Sequence, residues 1–392
     1  MSLNFIEIDG SFGEGGGQVL RNAVVYSALL RKPVQICNIR AGRTKPGLQH
    51  QHLAGLRVAV NICGGLLNGD TIGSESISLY SSEEDNDSEQ RIVSAVIGTA
   101  GSICLLLQVA LPCMLFHNIM TLNIKGGTDT NFAPMVDYYQ NVFLKTLSKH
   151  CFGTNVEADM KTHTRGYFPK GGGDVTFSLP KNNVLSNHIP LSAIQLTDRG
   201  DIHSVTIRSF HGGNVSRQIA ERMANSASKQ LRRNIPSSIE IQVQVNRHRN
   251  AVGSGSGIWI VAETSTGCIL GGSALGHPKE NPEVTGIKAV DEILHSIQSG
   301  GCVDDWLQDQ LIIFMALAKG TSKILTGCLT QHTTTAIAVA EMMTDAKFQV
   351  EAIRKNTSFT DDTRIRHSLR CSEPGYIEGR HLITCHGIGF HK

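Results

Sequence analysis

Residues 98–140 read GTAGSICLLLQVALPCMLFHNIMTLNIKGGTDTNFAPMVDYYQ and contain most of one α/β unit. Apolar residues spaced three and four apart predict a helix at 98–116 and another at 134–150. A short β-rich run between them predicts a strand at 120–125. A further strand is predicted at 155–161, so the unit runs helix, strand, polar loop, helix, strand.

The same order of predicted elements occurs in two other parts of the chain, which indicates an internal repeat. The first copy comprises helix 18–30, strand 33–39, helix 49–63 and strand 77–81. The third copy comprises helix 303–318, strand 322–327, helix 332–343 and strand 347–353. The acidic segment 82–89 is predicted to be an exposed loop.

A stretch of different character separates the second and third copies. It contains predicted strands at 204–210, 239–245 and 257–263 and predicted helices at 216–231 and 284–299. We therefore predict an α/β (α+β) fold whose large domain, residues 1–185 and 301–392, consists of three repeated α/β units. A smaller α/β domain, residues 186–300, is inserted before the third. Residues 356–380 are polar and lack periodicity, which predicts a loop insertion before a final strand at 382–385.

Composition describes an ordinary globular protein of 392 residues, with 40% hydrophobic and 18% charged residues. The net charge of +2 does not by itself indicate a nucleic-acid binder, so such a function would need a local basic patch. The start MSLNFIEIDG lacks the basic and apolar regions of a signal peptide. We expect a protein of the nucleus or cytoplasm that is not secreted and has no membrane partner.

The polar and unusual residues of each copy cluster between its first strand and its second helix. These are Arg40, Arg43, Lys45 and Pro46 in copy one, Lys125 to Thr128 and Pro134 in copy two, and Gln331 and His332 in copy three. Because equivalent loops of packed repeats tend to lie on one face, we expect these groups to converge on a single site.

Two segments of the first copy have the residues of an anion site. The turn DGSFGEGGG at 9–17 follows a strand and opens a helix, where backbone N–H groups and the helix dipole favour phosphate. The alternative is a plain strand–helix turn. Glu14 within it would repel phosphate unless it holds a divalent cation. The cations of RAGRTK at 40–45 suit phosphate recognition by guanidinium groups, although a solvated loop is the ordinary explanation.

Two polar positions of the third copy admit both a structural and a functional interpretation. Asp309 and Gln310 lie in an otherwise apolar helix, where an Asp near the N-terminus can simply complement the dipole. His332 begins the next helix, and a histidine near a helix cap usually has no chemical role.

With these segments in hand, the chain resembles the RNA 3′-terminal phosphate cyclase family, in its catalytic and eukaryote-like branch. Seven segments in the right order carry the resemblance: IDGSFGEGGGQVLR at 8–21, NIRAGRTKPGLQHQHL at 38–53, GTAGSICLLLQ at 98–108, KGGTDTNFAP at 125–134, RGYFPKGGGDV at 165–175, DDWLQDQLIIFMALA at 304–318 and LTQHTTTAIAVAE at 329–341. The resemblance implies a large domain of three α/β repeats with an inserted small domain. It also implies an ATP-dependent ligase that converts an RNA 3′-phosphate into a 2′,3′-cyclic phosphate and releases AMP and diphosphate, with Mg²⁺ or Mn²⁺.

The resemblance also implies roles for individual residues. His332 takes the place of the nucleophile that carries AMP, which suits a histidine because its ordinary pKa of about 6.5 leaves the imidazole neutral near pH 7. Glu14 matches a carboxylate associated with the metal. Arg21, Arg40 and Arg43 match arginines that contact phosphate. The positions that match contacts to the adenosine part of ATP are Gln108, Pro134, Tyr138, Trp306, Asp309 and Gln310; Trp306 stands where the family has a smaller His or Tyr.

A non-catalytic cyclase-like factor of ribosome biogenesis or rRNA processing is the alternative function. Such proteins share the fold and lack the nucleophile, so the presence of His332, Glu14 and Arg43 favours the enzyme.

Overall fold

The first repeat forms a four-stranded sheet covered by two helices. The computed structural model describes residues 4–80, 91–117, 119–152, 158–180, 191–353 and 376–391. The elements of this repeat are β1 (Ile6–Asp9), α1 (Gly17–Leu30), β2 (Val34–Cys37), α2 (His50–Cys63), β3 (Leu66–Asn68) and β4 (Ile77–Tyr80). The sheet has the order β1-β2-β4-β3, with β1 parallel to β2 and the other neighbours antiparallel.

The second repeat has the same topology. Its elements are β5 (Arg91–Val96), α3 (Ile103–Leu115), β6 (Ile119–Gly126), α4 (Val136–Tyr138), a π-helical segment (Tyr139–Leu144), α5 (Lys145–His150), β7 (Asp159–Gly166) and β8 (Gly173–Ser178). The order β5-β6-β8-β7 again has one parallel pair, β5 with β6. Helix α3 begins five residues later than the sequence predicted, because Gly98 has a left-handed φ of 76° and Ser102 caps the helix through the N–H of Leu105.

The third repeat begins with the two-residue strand β9 (Gln195–Leu196), and the insertion follows this strand. The insertion contains β10 (Ile202–Gly212), α6 (Arg217–Arg232), β11 (Glu240–His248), β12 (Ala251–Val252), β13 (Gly255–Thr264), β14 (Ile269–Leu275) and α7 (Pro282–Ser299). Its sheet has the order β11-β10-β13-β14, while β12 pairs with β7 of the second repeat.

Two apolar clusters meet across the sheet of the insertion. One face, with Val205, Ile207 and Ile260, packs with α6 and α7 in a cluster of its own. The opposite face presents Trp259 and Val261, which belong to the larger core that the repeats share. Strand β13 alternates between the two clusters because successive side chains of a strand point to opposite faces.

After the insertion the third repeat continues with α8 (Asp305–Leu317), β15 (Lys319–Thr326), α9 (Gln331–Met343), β16 (Lys347–Ile353) and β17 (Arg380–Ile388). Its sheet has the order β9-β15-β17-β16, with β9 parallel to β15. Each repeat is therefore a β-α-β-α-β-β unit whose strands are ordered first, second, fourth, third. This confirms the predicted α/β fold class, whereas the domain boundaries stay predictions.

Two predicted segments fall outside the part of the chain that the structure describes: the acidic loop 82–89 and most of the insertion 356–380. The final strand, predicted at 382–385, is longer and lies between β15 and β16. Among the described residues, none of the helices combines the length and apolar character needed to cross a membrane.

Candidate active site

The glycine-rich turn between β1 and α1 is joined to the start of α9. Gly13 and Gly15 have left-handed φ angles of 63° and 57°, which glycine adopts without strain. The Gln331 side-chain amide donates to the Gly13 carbonyl at 2.9 Å, and the Glu14 N–H donates to Thr335 Oγ1 at 3.2 Å. Repeats one and three therefore meet at this turn.

Glu14 is held from two sides. The Gln18 N–H donates to its Oε1 at 2.9 Å, and Arg43 forms an ion pair with Oε2 at 2.7 Å while also donating to the Glu14 carbonyl at 2.9 Å. The Glu14 side chain is 7% exposed and that of Arg43 is 48% exposed. The predicted loop at 40–45 thus reaches the glycine turn through Arg43.

The other two predicted arginines differ in what they contact. Arg40 donates to the carbonyls of Lys45 and Gly47 at 2.6 and 3.1 Å and so stabilises its own loop. Arg21 donates to the Gln18 side chain, and its buried Nε has no hydrogen-bond partner among the described residues. Burial lowers the pKa of the Arg21 guanidinium, and the charges of Glu14 and Asp309 oppose that shift.

Asp309 on α8 lies near both Arg21 and His332. Burial raises the pKa of its carboxyl to about 6, and the charges of His332 and Arg21 lower it. His332 is exposed in the first turn of α9, which Thr330 caps by accepting from the Thr333 N–H. Asp309 is therefore close enough to interact through its charge with both His332 and Arg21, while Gln331 and Thr335 of the same helix contact the turn that carries Glu14.

Four of the residues predicted to contact adenosine lie in the first half of α8 or contact its N-terminus: Tyr138, Trp306, Asp309 and Gln310. Asp304 caps this helix and also accepts from the Tyr138 hydroxyl at 2.6 Å and from the Gly271 N–H at 2.7 Å. Tyr138 is therefore buried, whereas the Trp306 ring is partly exposed. Gln310 donates to the Trp306 carbonyl, and its buried Oε1 has no partner among the described residues.

Gln108 and Pro134 lie on the second repeat. Gln108 is partly exposed on α3 and makes no side-chain hydrogen bond to another described residue, and Pro134 is buried just before α4. The loop at 126–133 contacts the segment before α3, since the Gly127 N–H donates to the Gly101 carbonyl at 2.7 Å. It is connected to the first repeat through Gln51, whose Oε1 accepts from the Ser102 N–H at 3.1 Å.

Comparison with known proteins gives the same family over almost the whole chain. The family model described as RNA 3'-terminal phosphate cyclase matches residues 12–350. A Drosophila melanogaster RNA 3'-terminal phosphate cyclase is 37% identical over 98% of this chain and 97% of its own length. A Methanosarcina barkeri cyclase is 39% identical over 88% and 96%, and a probable cyclase of Dictyostelium discoideum is 36% identical over 98% and 83%.

The chain belongs to the RNA 3'-terminal phosphate cyclase family. Membership places it among RNA-processing ligases, and RNA is the substrate class that the family name implies.

The suitability of Glu14 for a divalent cation can be judged from the groups around it. Among the described residues, no three His, Cys, Asp or Glu side chains form a metal cage. Mg²⁺ usually binds through one or two carboxylates together with substrate phosphates and water, so the single carboxylate of the glycine turn would suit a cation that arrives with a nucleotide and displaces Arg43 from Oε2.

The structure adds residues that the sequence prediction did not assign. Thr335 closes the contact between α9 and the glycine turn, and Asp304 organises the end of α8. His52 lies against Gly17 and Arg21, although it was visible in the sequence only as one of two histidines of LQHQHL. None of these has a distinctive spacing, because Thr335 and Asp304 act across repeats and His52 acts on a different helix of its own repeat.

Proposed function

We propose that this cyclase converts an RNA 3′-terminal phosphate into a 2′,3′-cyclic phosphate at the expense of ATP, with His332 as the carrier of AMP. The observation that supports this most is the position of His332, exposed at the start of α9, the helix that contacts the glycine turn with its ion pair of Glu14 and Arg43. Such an imidazole is accessible to a phosphorus atom, and the turn and its arginine are of the kind that would bind phosphate oxygens.

In the first step a ring nitrogen of His332 attacks the α-phosphorus of ATP. A nitrogen–phosphorus bond forms, the bond from that phosphorus to the bridging oxygen breaks, and diphosphate leaves; the ring proton passes to solvent. Arg21 and Arg43 stabilise the phosphate charge. Glu14 would hold the Mg²⁺ or Mn²⁺ ion, which when bound neutralises charge on the diphosphate.

In the second step an oxygen of the RNA 3′-phosphate attacks the same phosphorus, AMP is transferred to the RNA, and His332 is released. The terminal 2′-OH then attacks the 3′-phosphorus, its proton is lost to solvent, and AMP leaves. Adenylation matters because a phosphate monoester has no good leaving group. Ring closure is fast because well-oriented intramolecular attack has effective molarities on the order of 10⁵ M or more. Only RNA has this hydroxyl.

The residues proposed to contact adenosine would contact different parts of the nucleotide. Asp309 would accept hydrogen bonds from ribose, the partly exposed Trp306 ring would stack on adenine, and the unpartnered Oε1 of Gln310 is a free acceptor nearby. Gln108, Pro134 and Tyr138 are proposed to border the same nucleotide from the second repeat. We further propose that the protein works in the nucleus or cytoplasm.

Labelling with ATP tests the first step. We expect incubation with α-labelled ATP and Mg²⁺ to give a protein–AMP adduct that is labile in acid and stable in alkali. The adduct should be absent from His332→Ala and unchanged in His203→Ala, which removes an exposed histidine of the insertion. An adduct that survives in His332→Ala would exclude His332 as the carrier.

The RNA steps are tested with matched oligonucleotides. A 3′-phosphate should become resistant to phosphatase when the terminal sugar carries a 2′-OH and stay sensitive when that sugar is 2′-deoxy. If both oligonucleotides stay sensitive to phosphatase and the protein forms no adduct on His332, the non-catalytic factor of rRNA processing would be favoured instead.

A further inference from the structure

The Trp306 ring is attached to the insertion by a hydrogen bond. Its indole Nε1 donates to Oε1 of Glu292 on α7, a residue that is 5% exposed. An indole has one donor and no acceptor, so this bond uses all the hydrogen-bonding capacity of the ring. The partly exposed ring can therefore contact a ligand only through its apolar surface.

The bond to Glu292 determines how the ring is turned, because the backbone of Trp306 is fixed separately. The Trp306 N–H donates to Asp304 Oδ1 at 3.0 Å, and the Trp306 carbonyl accepts from the Gln310 amide. A tryptophan side chain has two rotatable bonds, so a hydrogen bond at the far end of the indole removes the freedom that an anchored backbone leaves. A ring held in this way presents the same surface to each arriving ligand.

Helix α7, which carries Glu292, is packed firmly on its own sheet. The next residue, Ile293, is fully buried in the core of the insertion, and a Cβ atom on Gly272 of β14 would come within 2.7 Å of the Ile293 backbone nitrogen. One turn along α7, His295 Nε2 lies 3.7 Å from Asp305 Oδ2, which gives the helix a second contact with the start of α8. The Glu292 carboxylate therefore has a defined position relative to α8.

Glu292 also lies near another of the residues proposed to contact adenosine. Burial raises the pKa of the Tyr138 hydroxyl well above its ordinary value, and the negative charges of Asp304 and Glu292 raise it further. Tyr138 comes from the second repeat and Trp306 from the third. The insertion thus reaches the place where these two repeats meet.

We propose that Glu292 is a positioning residue for the nucleotide, which holds the Trp306 ring at the angle at which the ring stacks on the base of ATP. Through this contact the insertion shapes the nucleotide site. The stacking of adenine on Trp306 belongs to the proposed function, and the role of Glu292 rests on it.

Ligands with and without a base separate this role from a general effect on the fold. The probes are α,β-methylene-ATP, whose bond to the diphosphate is not cleaved, and inorganic tripolyphosphate, which has the phosphates and no base. We expect Glu292→Leu to weaken binding of the analogue about fivefold or more, the lower end of what base–aromatic stacking contributes, and to leave tripolyphosphate binding unchanged. Glu292→Gln keeps an acceptor and should recover most of the loss.

Two further substitutions serve as controls. Asp291→Leu removes a carboxylate from the exposed side of α7 and should bind both probes like the wild type. Trp306→Phe keeps an aromatic ring and removes the indole donor, so adding Glu292→Leu to it should cause no further loss of affinity for the analogue. A full additional loss in the double variant would contradict a role that acts through Trp306.

The hydrogen bond itself can be observed by NMR. The chain has two tryptophans and hence two indole ¹⁵N–H resonances, of which Trp306→Phe removes one. In the wild type the Trp306 indole proton should exchange slowly with solvent, and its resonance should shift with the analogue and not with tripolyphosphate. If Glu292→Leu does not fold, this measurement decides, and exchange as fast as that of a free indole would overturn the role of Glu292.

Wild-type affinity of Glu292→Leu for the analogue, or an equal loss for both probes, would overturn it as well. Either result can occur while ATP still labels His332, which leaves the proposed function intact. A wild-type protein that binds the analogue through its base and forms no His332 adduct would instead lose the proposed mechanism and keep the role of Glu292. If the wild type shows neither the adduct nor binding that depends on the base, both are overturned.

Discussion

Among single residues, Asp309 is the one whose charge controls a proposed substrate contact. Its pKa is raised to about 6 mainly by burial, so the carboxyl is ionised at pH 7 and mostly protonated at pH 5. Between its ordinary pKa of 3.8 and about 6, the folded state holds a proton that the unfolded state has lost. The contribution of Asp309 to stability is therefore full below that window and declines as the pH rises through 6. Nucleotide binding should change in the opposite direction, since an ionised carboxylate accepts from both ribose hydroxyls.

We predict that the Kd for a non-hydrolysable ATP analogue rises by roughly tenfold when the pH falls from 7 to 5, the factor expected for a group of pKa near 6. The matched control is Asp309→Asn, which should bind more weakly at pH 7 and have a flatter profile. Titration of the analogue is present in both proteins and cancels in the comparison. An Asn variant with the wild-type slope would assign the pH dependence to another group.

Sequence alone was sufficient to nominate Asp309 and insufficient to nominate His52. Asp309 stands out because it is acidic within the apolar run of α8 and because the family resemblance covers it. His52 lies in a motif with another histidine and acquires its geometry from Gly17 and Arg21 on a different helix. A contact between two helices of one repeat depends on how they pack, which residue spacing does not encode.

At the scale of elements, the N-terminus of α8 depends on Asp304. This buried carboxylate accepts from the Tyr138 hydroxyl of α4, from the Gly271 N–H of β14 and from two N–H groups of its own helix. It thereby connects the second repeat, the insertion and the third repeat at one point.

We predict that Tyr138→Phe lowers the free energy of unfolding by about 1–3 kcal/mol, because the buried Asp304 acceptor loses one donor. The KM for ATP should change less than twofold, since the ring is kept and the hydroxyl is already engaged with Asp304. Tyr80→Phe is the control, because that hydroxyl makes no hydrogen bond to a described residue. A raised KM with unchanged stability would instead place the Tyr138 hydroxyl in the nucleotide pocket.

The element predictions were accurate for some elements and missed others. Helices α2 and α9 and strand β16 begin and end within one residue of their predicted positions. Strands β9 and β14 were missed, because β9 has two residues and β14 reads ILGGSAL, with two glycines that weaken a strand pattern. Strand β5 was not predicted, because its apolar residues continue almost directly into the segment predicted to be a helix.

At the scale of the whole molecule, the three loops expected to converge are connected through intermediate contacts. The loop at 40–45 is joined by Arg43 to the glycine turn of the same repeat, and that turn contacts the start of α9 from the third repeat. The loop of the second repeat is connected to them through Gln51 and Ser102. Periodicity revealed that the repeats exist, but the partners across repeats depend on how the three sheets pack, which no local pattern specifies.

The packing between the first and third repeats should be especially sensitive to a substitution at Gly13. Its neighbour Glu14 bonds to Thr335, 321 residues further along the chain, and a Cβ atom on Gly13 would come within 2.2 Å of Thr335 Oγ1. Its φ of 63° also disfavours a side chain, by about 1–2 kcal/mol. We predict that Gly13→Ala lowers the free energy of unfolding by at least that amount. It should also slow formation of the His332–AMP adduct at least tenfold, because the turn that carries Glu14 is displaced from α9.

Two variants separate these causes. Gly42→Ala, with no heavy atom within 4 Å of the new Cβ and no left-handed φ, should match the wild type in stability and in adduct formation. Thr335→Ala combined with Gly13→Ala removes the clash with Oγ1 and leaves the backbone strain. Its reference is Thr335→Ala alone, which also lacks the hydrogen bond from the Glu14 N–H; relative to it, the double variant should lose stability more than adduct formation. If Gly13→Ala forms the adduct at the wild-type rate, the contact between the first and third repeats serves folding alone, and the turn does not need α9 to place Glu14 for the reaction.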